Sequence, residues 1–391
     1  MRYRFDPNIT AMHVEDLTLE QEIQARSDGI HLATADPFSP LPCQPPHVLN
    51  AVKDALDRGK THYPPALGIP ELRRKIADTV KRLNGLDASQ DDIIICPGSG
   101  PALFASMRVF LSPGDEALNP NPSFPINLAA PQICGARSVD VPLRREDGFQ
   151  VREDDLEKRV SHRTKLIVLT NPNNPTTTVY TRATLEGVAR VAKRHDLMVV
   201  TDENFQRLVY DGRYHTSLAT LPGMRERTVT IFAFSKDMGM TGFRVGAAIA
   251  NPDIVKMISA VQRNTASSAN TFSQYGALAA LEGPSDFFHA WRQIYLRNRD
   301  IVMEIMASVP NVHCHRPESS YFIWVDVSAL GTSEDVANYI MTEGNVAVKA
   351  GIHYGQYGEG FIRASFGYSE HVVREGFTRI ARVLERCGKC S

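Results

Sequence analysis

The middle of the chain alternates short apolar runs with longer segments of helical periodicity, and this alternation constrains the fold more than any other feature. The apolar runs are candidate strands at residues 92–96, 115–118, 165–170, 197–202, 228–235 and 244–250. Several are continuous β-branched runs such as KLIVLT, which indicates burial on both faces of a mostly parallel sheet. Helical segments between them, such as residues 182–195, fit crossover connections. The sequence therefore predicts an α/β/α large domain over about residues 46–290.

The pattern of candidate helices and strands changes after about residue 290. A helical pattern over residues 285–308 leads into short candidate strands at 322–327 and 361–366 and a final helix from about residue 371. The residues before position 46 become proline-rich near their end, and we expect them to pack with this C-terminal part. The expected second unit is a smaller α+β domain made of residues 1–45 and 291–391, so it is discontinuous.

Composition limits the classes of function. The chain has 391 residues, 43% hydrophobic and 22% charged, with a formal net charge of -1 and no basic run. We therefore expect no nucleic-acid or anionic-membrane partner. The N-terminus lacks an apolar export signal and no run of about 18 apolar residues occurs, so a cytoplasmic enzyme is expected.

The cysteines and histidines do not predict a metal site. The six cysteines are sparse, which suits a reducing compartment. Cys387 and Cys390 form a CxxC at the extreme C-terminus with no second pair, which makes a zinc or redox site improbable. His313, Cys314 and His315 are consecutive on a candidate strand, where alternate side chains face opposite sides and do not converge on one metal.

Polar and glycine-rich residues follow strand after strand. Gly98, Ser99 and Gly100 open a helix after the first strand, where free backbone N–H groups suit a phosphate. By itself each of these features has an ordinary explanation: a glycine-rich turn is usually only a turn, and the NPNNPT segment is as readily a plain loop. Asp202 ends a buried strand, where a carboxylate is costly unless it meets a cation or a protonated nitrogen.

A lysine and an arginine complete this set of polar residues near strand ends. Lys236 lies just past another buried strand, and Arg244 lies at the start of the next. A strand-end lysine is normally a surface residue, whereas a desolvated one with a lowered pKa is the usual Schiff-base nucleophile. An anion-binding helix start, an arginine, a buried carboxylate and an amine are together what pyridoxal 5'-phosphate (PLP) requires of a protein.

The sequence resembles the class I/II aminotransferases of the fold-type I PLP superfamily over nearly its whole length. The resemblance rests on THYPPALGIPELR, CPGSGPALF, NPSFPIN, NPNNPT, DENF, SKDMGMTGFRVG and GEGFIRASF. It implies that Lys236 binds the cofactor covalently and then moves the proton between the substrate α-carbon and the cofactor. It also implies that Asp202 keeps the pyridine nitrogen protonated, that Asn174 bonds the ring phenolate and contacts substrate, and that Phe124 stacks on the ring. Arg363 would pair with the α-carboxylate of an amino-acid substrate.

The same resemblance implies a phosphate site and a dimer. Ser99, Gly100, Ser235 and Arg244 would hold the cofactor phosphate. Tyr63 would reach that phosphate from a second subunit, so the resemblance implies a homodimer with shared active sites. Taken singly, Tyr63, Phe124 and Arg363 are ordinary residues, and the motif context alone gives them these roles.

Two positions depart from the family pattern. Phe205 stands where relatives usually have a tyrosine that donates to the cofactor phenolate, and Ala35 stands where a glycine usually lies close to the substrate. The plain interpretation of Phe205 is a tolerated core aromatic. The alternative is that the enzyme is a PLP-dependent lyase, decarboxylase or oxidative deaminase of specialised metabolism. An aminotransferase is the first interpretation.

Two further classes of protein are compared with the sequence. The SKDMGMTGFRVG segment also resembles 1-aminocyclopropane-1-carboxylate synthases, which perform γ-elimination on S-adenosylmethionine, although NPNNPT and DENF match that family less well. A regulator with a PLP fold would carry an N-terminal DNA-binding domain. The roughly 45 residues before the large domain are too few for one, and no helix-turn-helix pattern occurs.

Overall fold

The computed structural model describes residues 4–10, 17–38 and 44–387. The helices of this part are α1 (Pro7–Thr10), α2 (Thr18–Ala25), α3 (Pro46–Asp57), α4 (Pro70–Asn84), α5 (Ser99–Phe110), α6 (Pro125–Ile133), α7 (Glu153–Glu157), α8 (Arg182–Arg194), α9 (Pro252–Thr265), α10 (Thr271–Glu282), α11 (Asp286–Met306), α12 (Ser333–Gly344) and α13 (Glu370–Cys387). The strands are β1 (Ile30–His31), β2 (Ile93–Cys96), β3 (Glu116–Asn121), β4 (Arg137–Pro142), β5 (Thr164–Thr170), β6 (Met198–Asp202), β7 (Thr228–Ala233), β8 (Gly246–Ile249), β9 (His313–His315), β10 (Phe322–Asp326), β11 (Val346–Ala347), β12 (Lys349–Ala350) and β13 (Phe361–Ser365).

A seven-stranded, mostly parallel sheet forms the centre of the fold, in the order β2-β8-β7-β6-β5-β3-β4. Strand β8 is antiparallel to both of its neighbours, and the other pairs are parallel. Alternate residues of β5 enter different apolar clusters: Val168 packs with α5 and α9, whereas Ile167 packs with α8. Helices therefore cover both faces, which explains the continuous apolar runs and confirms the predicted α/β class with a mostly parallel sheet.

The predicted strands are present with small changes. Strand β3 extends to Asn121, beyond the predicted residue 118, and β7 ends at Ala233, two residues before the predicted end. Strand β4 was not predicted. Arg244 was expected at the start of the last strand, but that strand begins at Gly246, and Arg244 has a left-handed backbone with φ of 50° after a short 3-10 turn.

A second group of sheets is built mainly from the C-terminal residues. Strands β12-β13-β10-β9 form an antiparallel sheet, and β1 pairs in parallel with β11. A core cluster beneath these strands joins α11 and α13 to the N-terminal segment, for example through Tyr295, Phe377 and Leu32. The part of this segment that carries α2 and β1 thus packs with the C-terminal residues, whereas α1 contacts α6 of the central unit.

Other expectations concern special segments. The Asn171–Pro172 and Asn174–Pro175 peptide bonds are both cis, as the NPNNPT sequence allowed. In the described ranges, no three histidine, cysteine or acidic side chains cluster as a metal site needs. Cys390 lies outside the described residues. No helix in the described part of the chain is long and apolar enough to cross a membrane.

Candidate active site

A cavity of about 260 Å³ opens where the carboxyl ends of the central strands meet the C-terminal sheets. It is lined by Ala33, Thr34, Ala35, Phe124, Pro125, Thr170, Asn174, Asp202, Asn204, Phe205, Lys236, Lys349, His353, Tyr354 and Arg363. The structure therefore gathers six of the residues predicted for the site, from segments far apart in the chain. This position outside the carboxyl ends of parallel strands is where α/β sheets usually bind ligands.

Asp202 ends β6 and is 2% exposed. Its main-chain carbonyl accepts a hydrogen bond from the Asn171 N–H at 2.9 Å, which ties the ends of β5 and β6 together. Burial raises the pKa of Asp202 to about 7, while the N–H of Asn204 acts in the opposite direction. Its Oδ1 is buried and has no hydrogen-bond partner among the described residues. A buried carboxylate oxygen in this state fits a protonated ring nitrogen in the cavity.

Lys236 follows β7 and is partly buried at the same cavity. Its Nζ donates to the Ala35 carbonyl at 2.6 Å. Burial lowers the pKa of Lys236 to about 8, and the positive charge of Arg363 adds to this effect. A larger share of the amine is therefore neutral near pH 8 than for an exposed lysine, and only the neutral amine is a nucleophile.

The start of α5 and Arg244 form a cradle beside the cavity. Gly98 precedes the helix with φ of 102°, and a Cβ added there would lie 2.4 Å from Arg244 Nη2. The guanidinium therefore lies directly against the glycine backbone, and its Nη1 donates to the Thr241 carbonyl at 2.8 Å. A cation at a helix N-terminus with free N–H groups is an anion site. Ser99, the first residue of α5, is buried and adds a hydroxyl group to this helix start, and Ser235 is buried just past β7.

Arg363 lies on β13 and is 5% exposed. It donates to Asn174 Oδ1 at 2.9 Å and to the Ala33 carbonyl at 2.7 Å. The guanidinium also lies over the rings of Phe322 and Tyr354, with centroid distances of 4.1 and 4.9 Å. Its Nε has no hydrogen-bond partner among the described residues, so the group retains donor capacity for an incoming carboxylate.

The aromatic residues of the site differ in placement. Phe124 precedes α6 and lines the cavity. Phe205 also lines it and is 2% exposed, packed edge-on against Tyr321 and Phe322 at centroid distances of 5.8 and 5.7 Å. The predicted substrate contact Ala35 presents its main-chain carbonyl to the site rather than its methyl group alone.

Five predicted cofactor contacts do not line the cavity. Ser99 and Gly100 at the start of α5, Arg244 against Gly98, and Ser235 after β7 all lie outside the lining set, and Tyr63 is 86% exposed on the surface. Tyr63 belongs to a separate groove formed by residues 61–64 and 266–272. Within one chain the structure therefore does not bring Tyr63 to the cavity.

Sequence reasoning missed several lining residues, among them Lys349, His353 and Tyr354. These come from the VKAGIHYG segment, which carries no recognisable chemical motif. Lys349 Nζ contacts Glu20 Oε2 at 2.5 Å, and Glu20 Oε1 lies 3.1 Å from His31 Nε2, so an N-terminal carboxylate neutralises this side of the cavity. The fold placed these residues, and no local pattern could have found them.

The donor set matches what PLP requires. The unpartnered Asp202 oxygen suits the ring nitrogen, the Lys236 amine suits the aldehyde, and the glycine cradle with Arg244 suits the phosphate. Together with a mostly parallel sheet covered by helices on both faces, this set defines a fold-type I PLP enzyme.

Comparison with known proteins places the chain more closely. The sequence model of the protein family described as aminotransferase class I and II matches residues 27–380. The chain is similar to an aspartate aminotransferase of Pyrococcus abyssi (34% identity, 87% of this chain and 88% of the relative). It is also similar to aromatic-amino-acid aminotransferase 2 of Thermococcus litoralis (35%, 87% and 88%). The solved structure of an aromatic aminotransferase from Pyrococcus horikoshii superimposes with a TM-score of 0.87 at 33% identity, over 94% of this chain and 99% of that one.

The chain belongs to the class I and II aminotransferase family. It is a PLP-dependent transferase acting on an amino acid, as the resemblance implied. The lyase, decarboxylase and oxidase alternatives raised by Phe205 are not favoured, since the relatives compared above are all named aminotransferases.

Proposed function

We propose that this aminotransferase works through Lys236, Asp202, Asn174 and Arg363, and that these residues act in the cavity described above. The observation that carries the proposal is the buried, unpartnered Asp202 oxygen lining the same cavity as an amine of lowered pKa. Bound PLP supplies an electron sink for the pair of electrons left when the substrate α-carbon loses its proton. Asp202 stabilises the protonated ring nitrogen that makes this sink effective.

The remaining roles follow from the donors. Arg363 binds the substrate α-carboxylate, since its guanidinium is fixed by two acceptors and two aromatic rings. Asn174 already accepts from Arg363 through Oδ1, which leaves its Nδ2 as the donor for the cofactor phenolate. Lys236 would move the proton between the substrate α-carbon and the cofactor, because its amine is partly neutral near pH 8.

The cofactor is held by three kinds of contact. The start of α5, with Ser99 and Gly100, binds the phosphate together with Ser235 and Arg244. Phe124 offers its ring to the pyridine. These assignments explain why a glycine is needed at position 98, where any side chain would meet the Arg244 guanidinium.

A borohydride experiment tests the covalent role. Reduction of the holoenzyme should fix the pyridoxyl group on Lys236, as read by peptide mass mapping. Lys236→Ala should still bind the cofactor through the cradle but show no turnover. The matched control is Lys349→Ala, which removes another amine from the same cavity. Label on a lysine other than Lys236 would refute the assignment.

We further propose a two-fold homodimer in which Tyr63 completes the active site of the partner subunit. An aromatic side chain that is 86% exposed, in a groove of its own and outside the lining of the cavity, supports this arrangement. Mixing inactive Lys236→Ala with a Tyr63→Phe variant of reduced activity should restore one site in each hybrid dimer. Tyr214→Phe is the control, since Tyr214 is also 86% exposed. A fully active monomer in sedimentation at assay concentration would contradict the proposal.

We also propose that residues 46–290 form the large cofactor-binding domain and that residues 1–45 and 291–391 form the small one. All seven strands of the central sheet fall between residues 93 and 249, and the pairing of β1 with β11 supports the discontinuous small domain. Limited proteolysis near both boundaries tests the division. A cytoplasmic location stays a prediction, and cell fractionation is its test.

A further inference from the structure

The Ala35 carbonyl receives two donors at once. Lys236 Nζ donates to it at 2.6 Å, and the Tyr321 hydroxyl donates to it at 3.1 Å. A carbonyl oxygen has two lone pairs, so the two bonds satisfy it fully. The phenol thus fixes the position of the acceptor and leaves one direction for the lysine amine.

Tyr321 is itself held rigidly. It is fully buried immediately before β10, and its ring packs against Tyr295 and Phe322 at centroid distances of 5.2 and 4.9 Å. A Cβ added at Gly367 would lie 2.8 Å from Tyr321 Cδ2, so the backbone also approaches the ring closely. Little freedom remains for the hydroxyl to move away from Ala35.

The hydroxyl also stays protonated. Burial raises the pKa of Tyr321 well above its ordinary value, and Tyr295, Asp36 and Tyr368 raise it further while Arg363 opposes them. Tyr321 is therefore a hydrogen-bond donor at any pH at which the enzyme works. Phe205, edge-on to the same ring at 5.8 Å, has no hydroxyl to offer.

We propose that Tyr321 is a positioning residue for Lys236, acting through the Ala35 carbonyl. With PLP bound, a substrate amine would take the place of the lysine, and the released lysine amine would need a fixed acceptor close to the reacting carbon. The Ala35 carbonyl, held by Tyr321, is that acceptor. The inference rests on the proposed role of Lys236, and it assigns the positioning role to a phenol bonded to the Ala35 carbonyl, whereas position 205 carries none.

A pair of small ligands separates this role from simple packing. 2-Methylalanine carries an amine that displaces the lysine from the cofactor but has no α-proton to lose. Isobutyrate has the same skeleton without the amine, so it leaves the lysine in place. Each is titrated into the holoenzyme while the absorbance band of the bound cofactor is followed, with binding of isobutyrate read by its competition with 2-methylalanine.

Tyr321→Phe keeps the ring and removes one hydroxyl. The apparent dissociation constant of 2-methylalanine should rise by about three- to tenfold, the range expected for one neutral hydrogen bond. That of isobutyrate should stay within about twofold, since its carboxylate meets Arg363 and not Lys236. With true substrate, kcat should fall while KM changes little, because the lysine acts after binding.

Tyr210→Phe is the matched control. Its hydroxyl also donates to a buried main-chain carbonyl, that of Ser320, in the same aromatic core. It should lower the melting temperature without changing the ratio of the two dissociation constants. If Tyr321→Phe does not fold, a fluorinated tyrosine at position 321 strengthens the donor and should move the ratio in the opposite direction.

The outcomes are distinct. Wild-type enzyme that shows no spectral change with 2-methylalanine, together with no label on Lys236, would overturn the proposed function itself. Wild type that responds, with Tyr321→Phe giving an unchanged ratio of dissociation constants, would overturn the positioning role alone. A change in both ligands by the same factor would also count against it, because packing loss would then explain the effect.

Discussion

Gly98→Ala should damage cofactor binding out of proportion to the size of a methyl group. Gly98 has φ of 102° and ψ of 171°, a backbone region almost restricted to glycine. Holding alanine there costs about 1–3 kcal/mol of unfolding free energy. The new Cβ would lie 2.4 Å from Arg244 Nη2 and 3.0 Å from Cζ, so the guanidinium has to leave its place in the cradle.

The size of the binding effect follows from that displacement. A hydrogen bond to a charged group is worth about 1.5–3 kcal/mol. Loss of the Arg244 contact to the cofactor phosphate should therefore weaken PLP binding about 10- to 100-fold, at 1.4 kcal/mol for each factor of ten. Titration of cofactor-free protein with PLP, followed by absorbance, measures the affinity, and thermal melting of the same samples measures the loss of stability.

Two other glycines serve as controls. Gly85→Ala also places alanine at positive φ (70°), but nothing lies within 4 Å of its Cβ. It should lower stability by about 1 kcal/mol and leave PLP affinity unchanged. Gly100→Ala, in the same helix start, meets only Ile126 Cδ1 at 3.5 Å and should leave the melting temperature unchanged. Wild-type affinity in Gly98→Ala, or an equal loss in Gly85→Ala, would refute the cradle.

Three further predictions concern the cavity. Phe205→Tyr should fold and keep transamination within severalfold, as keto-acid assays measure, and diversion of flux from another product into transamination would show that the parent enzyme does different chemistry. Because burial raises the pKa of Asp202 and of Asp237 to about 7, the folded cofactor-free protein binds these protons more tightly than the unfolded chain, so the contribution of these two carboxyl groups to stability should fall as pH rises from about 4 to about 7. Asp202→Asn should reduce the change of melting temperature with pH, and an unchanged pH dependence would contradict the buried carboxylate. Arg363→Lys loses the planar guanidinium that donates both to Asn174 Oδ1 and to the Ala33 carbonyl, and it should raise KM for the amino acid by about 10- to 100-fold, whereas a fall in kcat alone would argue against a carboxylate-binding role.

The central strands were predictable because burial on both faces leaves a plain signal in the sequence. Strand β4 was missed because it lacks such a continuous apolar run. Its RSVDVP sequence begins with an exposed arginine and has three half-buried residues, and the strand lies at one edge of the sheet, where it pairs with β3. The antiparallel direction of β8 was equally beyond reach, since strand direction depends on how distant segments meet rather than on local composition.

The site residues also divide into those that the sequence predicts and those that it does not. Asp202 and Lys236 follow strands of the central sheet, so chain order alone places them at the same edge. Lys349 and Tyr354 line the cavity, and Tyr321 bonds the Ala35 carbonyl, because the C-terminal sheets pack against that edge. Packing between segments more than 100 residues apart leaves no local pattern, so these residues became visible only in the folded structure.

The short segment that carries Ala33 and Ala35 has a consequence for mutational scanning. Both alanines serve through main-chain oxygens, one accepting from Arg363 and the other from Lys236 and Tyr321. Side-chain replacement leaves those oxygens in place, so a deep mutational scan would score both positions by steric tolerance and would overlook their electrostatic contribution. Replacing the peptide linkage itself, for example with an ester at the residue that follows, weakens the carbonyl as an acceptor and would expose a dependence that the genetic code cannot reach.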